Sequence, residues 1–338
     1  MKRRDSRKID IFCHIIPQKY KEVLYRKAKS CFYLEANNSR PALFDLDIRF
    51  RVMDKFEGLQ EVLSIGAPPV EYMIAGKEAV DLAKMANDEM AELLIKYPDR
   101  FVGAVASLPM NDIEAALQEA DRAIKDLNFQ GVQIYSPING KPLDWPELMA
   151  LYEKMEDYDL PIWIHPARDR NIPDYPHEKE SMYNLFMIFG WPYETSLAMA
   201  RLVFSGVLER YPNIKFICHH CGAMIPSFQQ RIPGGQIAKE NVNAKPLQKR
   251  SKSPLDYFRK FYVDTALSGN TPALMSGYAF FGPDNILFGS DYPYPGGAEK
   301  GDVLLGKAIK SVELMDVPHK DKIKIFEKNA RRILHLPN

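Results

Sequence analysis

Cysteine is scarce, with four residues in 338. Cys218 and Cys221 stand as C-x-x-C, a spacing that invites a structural-zinc or redox reading. No second pair answers them and two histidines lie between them, so the cysteines read as small buried fillers. Excess charge of one sign is also missing. Lys+Arg total 45 and Asp+Glu 44, a net +1 that carries no footprint of a nucleic-acid or polyanion partner. No apolar run approaches the roughly 18 residues of a membrane span. Low-complexity linkers and internal repeats are absent as well. The first residues, Met1 to Lys8, are basic, but they lead into a short stretch containing Asp10 and not into the apolar centre of a leader. A cytoplasmic protein without membrane or nucleic-acid partners is expected.

A hydrophobic content of 46% over this length is enough for one full core, so residues 1–338 read as a single barrel-sized domain. Short β-branched and aromatic runs alternate with segments of helical periodicity along the whole chain. Strands are expected near 61–65, 101–108, 129–135 and 261–265. Helices are expected over 79–97, 112–127, 146–158 and 194–210, with another beginning at Thr271 and a last one over 320–334. About eight strands, each followed by helix, predict an α/β fold of the (β/α)8 TIM-barrel type. Residues 167–190 follow a strand end directly and form a long polar and aromatic insertion, a lid-like loop. A basic, loop-like stretch is expected over 239–252.

Four of the short runs share one grammar. Lys8-Ile9-Asp10-Ile11-Phe12-Cys13-His14 ends in histidine, as does Leu160-Pro161-Ile162-Trp163-Ile164-His165. Ile214-Lys215-Phe216-Ile217-Cys218-His219-His220 ends in two, and Asn285-Ile286-Leu287-Phe288-Gly289-Ser290-Asp291 ends in aspartate. Buried strands ending this way direct their last side chains to the C-terminal mouth of a parallel barrel, where such folds keep their chemistry. Alternation along a strand chooses between the paired histidines. With His220 facing inward, His219 is expected to face the helical layer in a packing or supporting role. Neutral imidazoles with a carboxylate suit zinc or a similar divalent ion such as manganese.

Further stretches carry a resemblance: Ile9-Asp10-Ile11-Phe12-Cys13-His14-Ile15-Ile16-Pro17, Trp163-Ile164-His165-Pro166, Gly190-Trp191-Pro192-Tyr193-Glu194-Thr195, Arg210-Tyr211-Pro212-Asn213-Ile214-Lys215, His220-Cys221-Gly222 and Gly289-Ser290-Asp291-Tyr292-Pro293. Together they resemble the amidohydrolase-2 group of the metal-dependent amidohydrolase superfamily. This is the branch that holds aminocarboxymuconate-semialdehyde decarboxylase and γ-resorcylate decarboxylase. By that resemblance His14, His165 and Asp291 match metal ligands, and His220 matches the histidine that works on the substrate beside the metal. Arg231 resembles an arginine that grips the substrate carboxylate, in some members across a dimer interface. Arg51, or failing that Arg49, resembles a second one. The resemblance also implies a homodimer or higher homo-oligomer and a small carboxylate substrate.

One position departs from the group, which shows His-x-His or Glu-x-His at the end of its first strand. Here the first of those residues is Phe12. A phenyl ring donates nothing to a metal, so affinity for the ion (zinc first, manganese second) should fall, and water or a chelating substrate would complete its shell. The leading expectation is non-oxidative decarboxylation of an aromatic or unsaturated carboxylic acid, with Asp291 or His220 protonating the carbon. Hydrolysis or hydration of a small acid or lactone would use the same residues, and a degenerate barrel binding a small acid without turnover is the third reading. Tyr175, Tyr183, Phe186, Phe189 and Trp191 are expected to form an apolar lid.

Overall fold

The computed structural model describes residues 7–28, 32–234, 251–294 and 301–337. Its strands are β1 (Lys8–Ile15), β2 (Leu59–Ile65), β3 (Phe101–Ala104), β4 (Ala106–Ser107), β5 (Val132–Ser136), β6 (Ile162–Pro166), β7 (Phe216–Cys218) and β8 (Tyr262–Val263). All pair in parallel, in a three-stranded sheet β1-β2-β3 and a five-stranded sheet β4-β5-β6-β7-β8. β5 and β6 are buried along their whole length, as parallel strands covered on both faces must be.

Backbone hydrogen bonds stitch the two sheets together. Between β3 and β4, Val105 N–H donates to Leu63 and Ala106 N–H to Gly131. On the other side lies the segment 285–292, expected as a strand and observed as isolated bridges, Val263 with Ile286 and Cys13 with Tyr292. Along it Leu287 N–H donates to Val263, Ile11 N–H to Phe288 and Asp291 N–H to Phe12. Close approach needs a glycine here: a Cβ on Gly289 would lie 2.9 Å from Cβ atoms of both Asp264 and Phe12. The fold is an α/β barrel of the (β/α)8 type, with its eighth staff carried by bridges instead of a ladder.

Helices form where periodicity and caps coincide. In Ile113–Lys125 the buried Ala116, Ala120 and Ala123 make one apolar stripe, and Asp112 caps the start by accepting from Ala115 N–H at 3.0 Å, worth about 1 kcal/mol. Thr271–Phe281 is likewise capped, by Asn270 accepting from Ala273 N–H at 3.2 Å, whereas Lys77–Lys96 and Gly190–Phe204 begin without a side-chain cap. The expected helix 146–158 opens as a 3₁₀ turn over Pro146–Leu148 before Met149–Asp157, and the 320–334 region is helical from His319 to Ile333 with a π-helical turn over Lys324–Lys328. A small inner core holds Ile11, Phe12, Val62, Val105, Trp163 and Ile217, separate from the larger core between strands and helices. Cys13, Cys218 and Cys221 are buried and unbonded to one another, the filler role expected; Cys31 and residues 239–250 of the basic stretch lie outside the described residues. Among the described residues no helix is long and apolar enough to cross a membrane.

Candidate active site

β1 and β6 deliver His14 and His165 to the same end of the barrel, their ring centroids 5.4 Å apart. The hydrogen bonds on one side of each ring decide what the other side offers. Ser64 has one hydroxyl proton, and Cys13 carbonyl accepts it at 3.1 Å; Ser64 Oγ therefore accepts from His14 Nδ1, also at 3.1 Å. His165 Nδ1 donates to the Pro166 carbonyl at 2.7 Å. Each ring is thus held through Nδ1, with Nε2 on its free side. Burial, followed by the neighbouring His14 and His219, holds the His165 pKa well below the ordinary histidine value, so the ring is neutral.

Asp291 follows the bridging segment in a left-handed conformation, φ 64°, unusual for a residue with a Cβ. Asp10 ties this turn to β1: its carboxylate accepts from Ser290 N–H and Phe12 N–H, each at 3.1 Å, and from the Ser290 hydroxyl. The result sets Asp291 Oδ1 3.2 Å from His14 Nε2. Yet His14 Nε2 is buried with no hydrogen-bond partner. The two atoms thus face each other at contact distance without a formed hydrogen bond.

The expectation for His219 is overturned. Ile217 lies in the inner core, so alternation sends His219 inward with it. Its Nδ1 donates to Asp264 Oδ2 at 2.9 Å, and its ring stacks on Phe12 with centroids 3.5 Å apart. Both members of this pair are fully buried; burial lowers the His219 pKa well below its usual value and pushes Asp264 up to about 6. His220 reaches the site by another route. β7 ends at Cys218, and His220 and Cys221 adopt φ 56° and 54°, which turns the chain and breaks the alternation on which the expectation relied. Sequence reading missed His219 and Asp264, although the period-two relation of His219 to Ile217 was available.

A cavity of about 400 Å³ opens at this end, lined by His165, His220 and Asp291 with Tyr33, Trp191 and Tyr294. Arg40 is in its wall as well. Arg40 Nε donates to the Tyr294 carbonyl at 3.1 Å, and its guanidinium lies 5.4 Å from the centroid of the Tyr294 ring, which in turn packs 5.1 Å from His14. No sequence signal had marked Arg40. The arginines that were expected stand elsewhere. Arg51 is exposed on the helix Leu46–Met53 and does not line the cavity. Arg231 is exposed, also outside the lining. Arg49 is fully buried and committed: it pairs with Glu61 at 2.7 Å and donates to the His14 carbonyl at 2.7 Å. The lid expectation holds in part. Met187, Ile188 and Trp191 of the insertion and its flank line the cavity and Phe186 is buried, but Tyr175, Tyr183 and Phe189 point outward.

The donors fit a divalent ion, though sparsely. An ion bonded to N and O donors at roughly 2.0–2.2 Å holds them about 3–3.5 Å apart, the separation of His14 Nε2 and Asp291 Oδ1. His165 adds a bare nitrogen on the cavity side. Phe12 adds none, and among the described residues no three His, Cys, Asp or Glu side chains are gathered as a ready-made shell.

Comparison with known proteins places this geometry. The chain is 31% identical to 2-amino-3-carboxymuconate-6-semialdehyde decarboxylase of Dictyostelium discoideum over 333 residues, 91% of this chain and 86% of that protein. Its fold is similar to that of 5-carboxyvanillate decarboxylase from Sphingomonas paucimobilis, with a TM-score of 0.82, 26% identity and coverage of 98% and 100% of the two chains. A dihydroxybenzoic acid decarboxylase from Polaromonas, solved with bound manganese and the inhibitor 2-nitroresorcinol, superposes with a TM-score of 0.75, 26% identity and coverage of 98% and 97%. The family described as Amidohydrolase matches residues 9–336, and the chain belongs to it, an enzyme related to the decarboxylases of that superfamily.

Proposed function

We propose that this protein is a metal-dependent, non-oxidative carboxy-lyase acting on a monocyclic aromatic or unsaturated carboxylic acid. The observation that carries the reading is the buried His14 Nε2 facing Asp291 Oδ1 at 3.2 Å, at the floor of an aromatic-walled cavity with a guanidinium in its wall. His14, His165 and Asp291 would hold the ion, zinc first and manganese second, the metal found in the Polaromonas relative. When bound, it supplies positive charge that orients the carboxylate and stabilises the electron-rich carbon skeleton.

The chain's own residues account for the rest. Tyr33, Trp191 and Tyr294 sandwich a flat ring and keep water from it. Arg40 grips the carboxylate or a neighbouring anionic oxygen, the role first expected of Arg51. A proton passes from Asp291 or His220 to the carbon that bears the carboxylate. The C–C electron pair then returns to the ring as CO2 leaves, and the donor is reprotonated from solvent. Arg231, exposed and outside its own subunit's cavity, fits a role only toward the cavity of a second copy in a homodimer, and we assign it there. A cytoplasmic location goes with this reading.

The test is CO2 release from a panel of hydroxybenzoates and muconate-type acids, with metal analysis of protein purified without chelator. Release that disappears on chelation and returns with Zn²⁺ or Mn²⁺ supports the proposal. Hydrolysis of a lactone or amide with no CO2 from any acid would overturn it in favour of hydrolytic chemistry.

A further inference from the structure

We propose that Ser268 is a specificity-determining residue, its hydroxyl holding an oxygen substituent of the substrate's ring that stands away from the carboxylate; this rests on the aromatic-acid reading above. The backbone of the cavity wall marks it. Three residues of that wall hold a left-handed φ and yet carry a side chain: His220 at 56°, Asp291 at 64° and Ser268 at 52°. Left-handed backbone disfavours any residue with a Cβ, and such strain persists where the side chain is used. His220 and Asp291 already have their uses in the reaction. Ser268 is the third of the set.

The surrounding turn holds the strain in place. Asn270 N–H donates to the Leu267 carbonyl at 3.0 Å, with Ser268 and Gly269 left-handed between them at 52° and 87°. This is the pattern of a type I′ turn, whose first central position favours Gly, Asn or Asp. Upstream, Asp264 Oδ1 accepts from Ala266 N–H at 2.9 Å; downstream, Asn270 caps the helix Thr271–Phe281. A Cβ on Gly269 would lie 2.9 Å from Lys307 Cβ, so the turn is seated against the helix Gly301–Glu313. Ser268 does nothing for this turn with its side chain, because its hydroxyl makes no hydrogen bond to a described residue.

Chemistry selects what Ser268 takes. Neutral polar neighbours in the wall are committed: Asn37 donates to the Ala67 carbonyl and accepts from the Tyr294 hydroxyl, and Trp191 Nε1 donates to the Arg168 carbonyl. The serine hydroxyl is uncharged and both donates and accepts. An anionic oxygen is better met by the Arg40 guanidinium, so a neutral oxygen on the ring, a phenol above all, suits Ser268. One such bond at a position open to water gives a several-fold preference.

The experiment is equilibrium dialysis of benzoate, 3-hydroxybenzoate and 4-hydroxybenzoate against full-length protein supplied with Mn²⁺, beside CO2 release from the wider acid panel. In both phenols the hydroxyl is too far from the carboxylate for one ion to hold the two, so a preference for either belongs to the wall. Wild type should bind one of them about 3- to 10-fold more tightly than benzoate. Ser268→Ala and Ser268→Gly should each bring that ratio to about one. Ser268→Gly should also unfold near the wild-type temperature or above it, since it relieves the left-handed strain, and it serves if the alanine variant does not fold. A phenol preference that both variants keep, or none in wild type, would overturn the assignment of Ser268, and CO2 release from the panel would still uphold the decarboxylase reading. A preference lost in both variants, with no CO2 from any acid, would uphold Ser268 and overturn that reading.

Discussion

The two ends of the barrel make opposite use of charge. At the N-terminal ends of β2 and β3 lies a groove of about 1050 Å³, larger than the cavity at the other end and lined by Arg7, Arg100 and Arg331. Every one of those guanidiniums has an acid: Arg100 pairs with Asp54 at 2.5 Å, while Arg7 and Arg331 share Glu327 at 3.1 and 2.7 Å. At the C-terminal end His14 Nε2, His219 Nε2 and His220 Nδ1 are buried without partners. Size does not mark the working end. Three unpartnered imidazole nitrogens gathered at one place do, because burying each costs about 1–3 kcal/mol and one ligand can answer them together.

The sharpest way to break this contrast is to remove one of the unanswered groups. Asp291→Asn and His14→Ala should each lower kcat by about a thousand-fold or more, measured as CO2 release with the best acid of the panel. Asp291→Asn should change stability little, whereas His14→Ala also loses the buried Nδ1 bond to Ser64 and empties a core site, so it should cost about 2–4 kcal/mol in denaturant titration. A decrease of less than ten-fold in both would move the chemistry away from this edge.

Arg49 and Glu61 stand inside the barrel wall as a buried ion pair, joined through Nε and Oε2 at 2.7 Å. Burial works against the Arg49 charge, but the Glu61 carboxylate beside it holds its pKa above the ordinary value. Arg49→Met leaves that carboxylate buried and alone, so unfolding free energy should fall by about 3–5 kcal/mol in denaturant titration. Activity should fall too, because the same guanidinium holds the His14 carbonyl.

Much of this was legible in the residues themselves. Four apolar runs ending in His14, His165, His220 and Asp291 do converge at one end of parallel strands, because strand direction and covering helices follow from pattern alone. What was illegible depended on departures from regularity. His219 was assigned outward because the alternation was counted back from His220, yet a left-handed turn sits between strand and residue. The 285–291 strand became a set of bridges because Gly289 and the φ of Asp291 break its ladder. Arg40 was invisible because its approach to the cavity is set by Tyr294, from the far end of the chain.

Glu71 sharpens the comparison with pH. It is a buried acid outside the catalytic set, its Oε1 unpartnered, and burial pushes its pKa up to about 7 from an ordinary 4.5. The native state therefore keeps this proton between those two values while the unfolded chain has released it. Stability from this group is full below pH 4.5, falls as pH rises, and is lost above pH 7. Glu71→Gln removes the penalty, so the variant should be more stable than wild type by roughly 3 kcal/mol at pH 8 and equal to it near pH 4. Equal stability at both pH values would mean that Glu71 is solvated or paired.

The smallest expected effect comes from exchanging one arginine at each end for methionine. Arg40→Met keeps the aliphatic body against Tyr294 but removes the fork that would hold an anion. Because the acid is gripped in ground and transition states alike, the loss should fall mainly on KM, by about ten- to a hundred-fold, with kcat changed little. Arg100→Met removes a half-exposed ion pair, worth less than about 1 kcal/mol of stability, from the larger groove. It should leave both kinetic constants where they were. If Arg100→Met raised KM as much as Arg40→Met, the groove would be taking part in substrate binding, and the claim that paired charge marks the idle end would be wrong. A rise in KM confined to Arg40→Met would instead tie substrate recognition to the one guanidinium, among the described residues, that lines the cavity beside His165, His220 and Asp291.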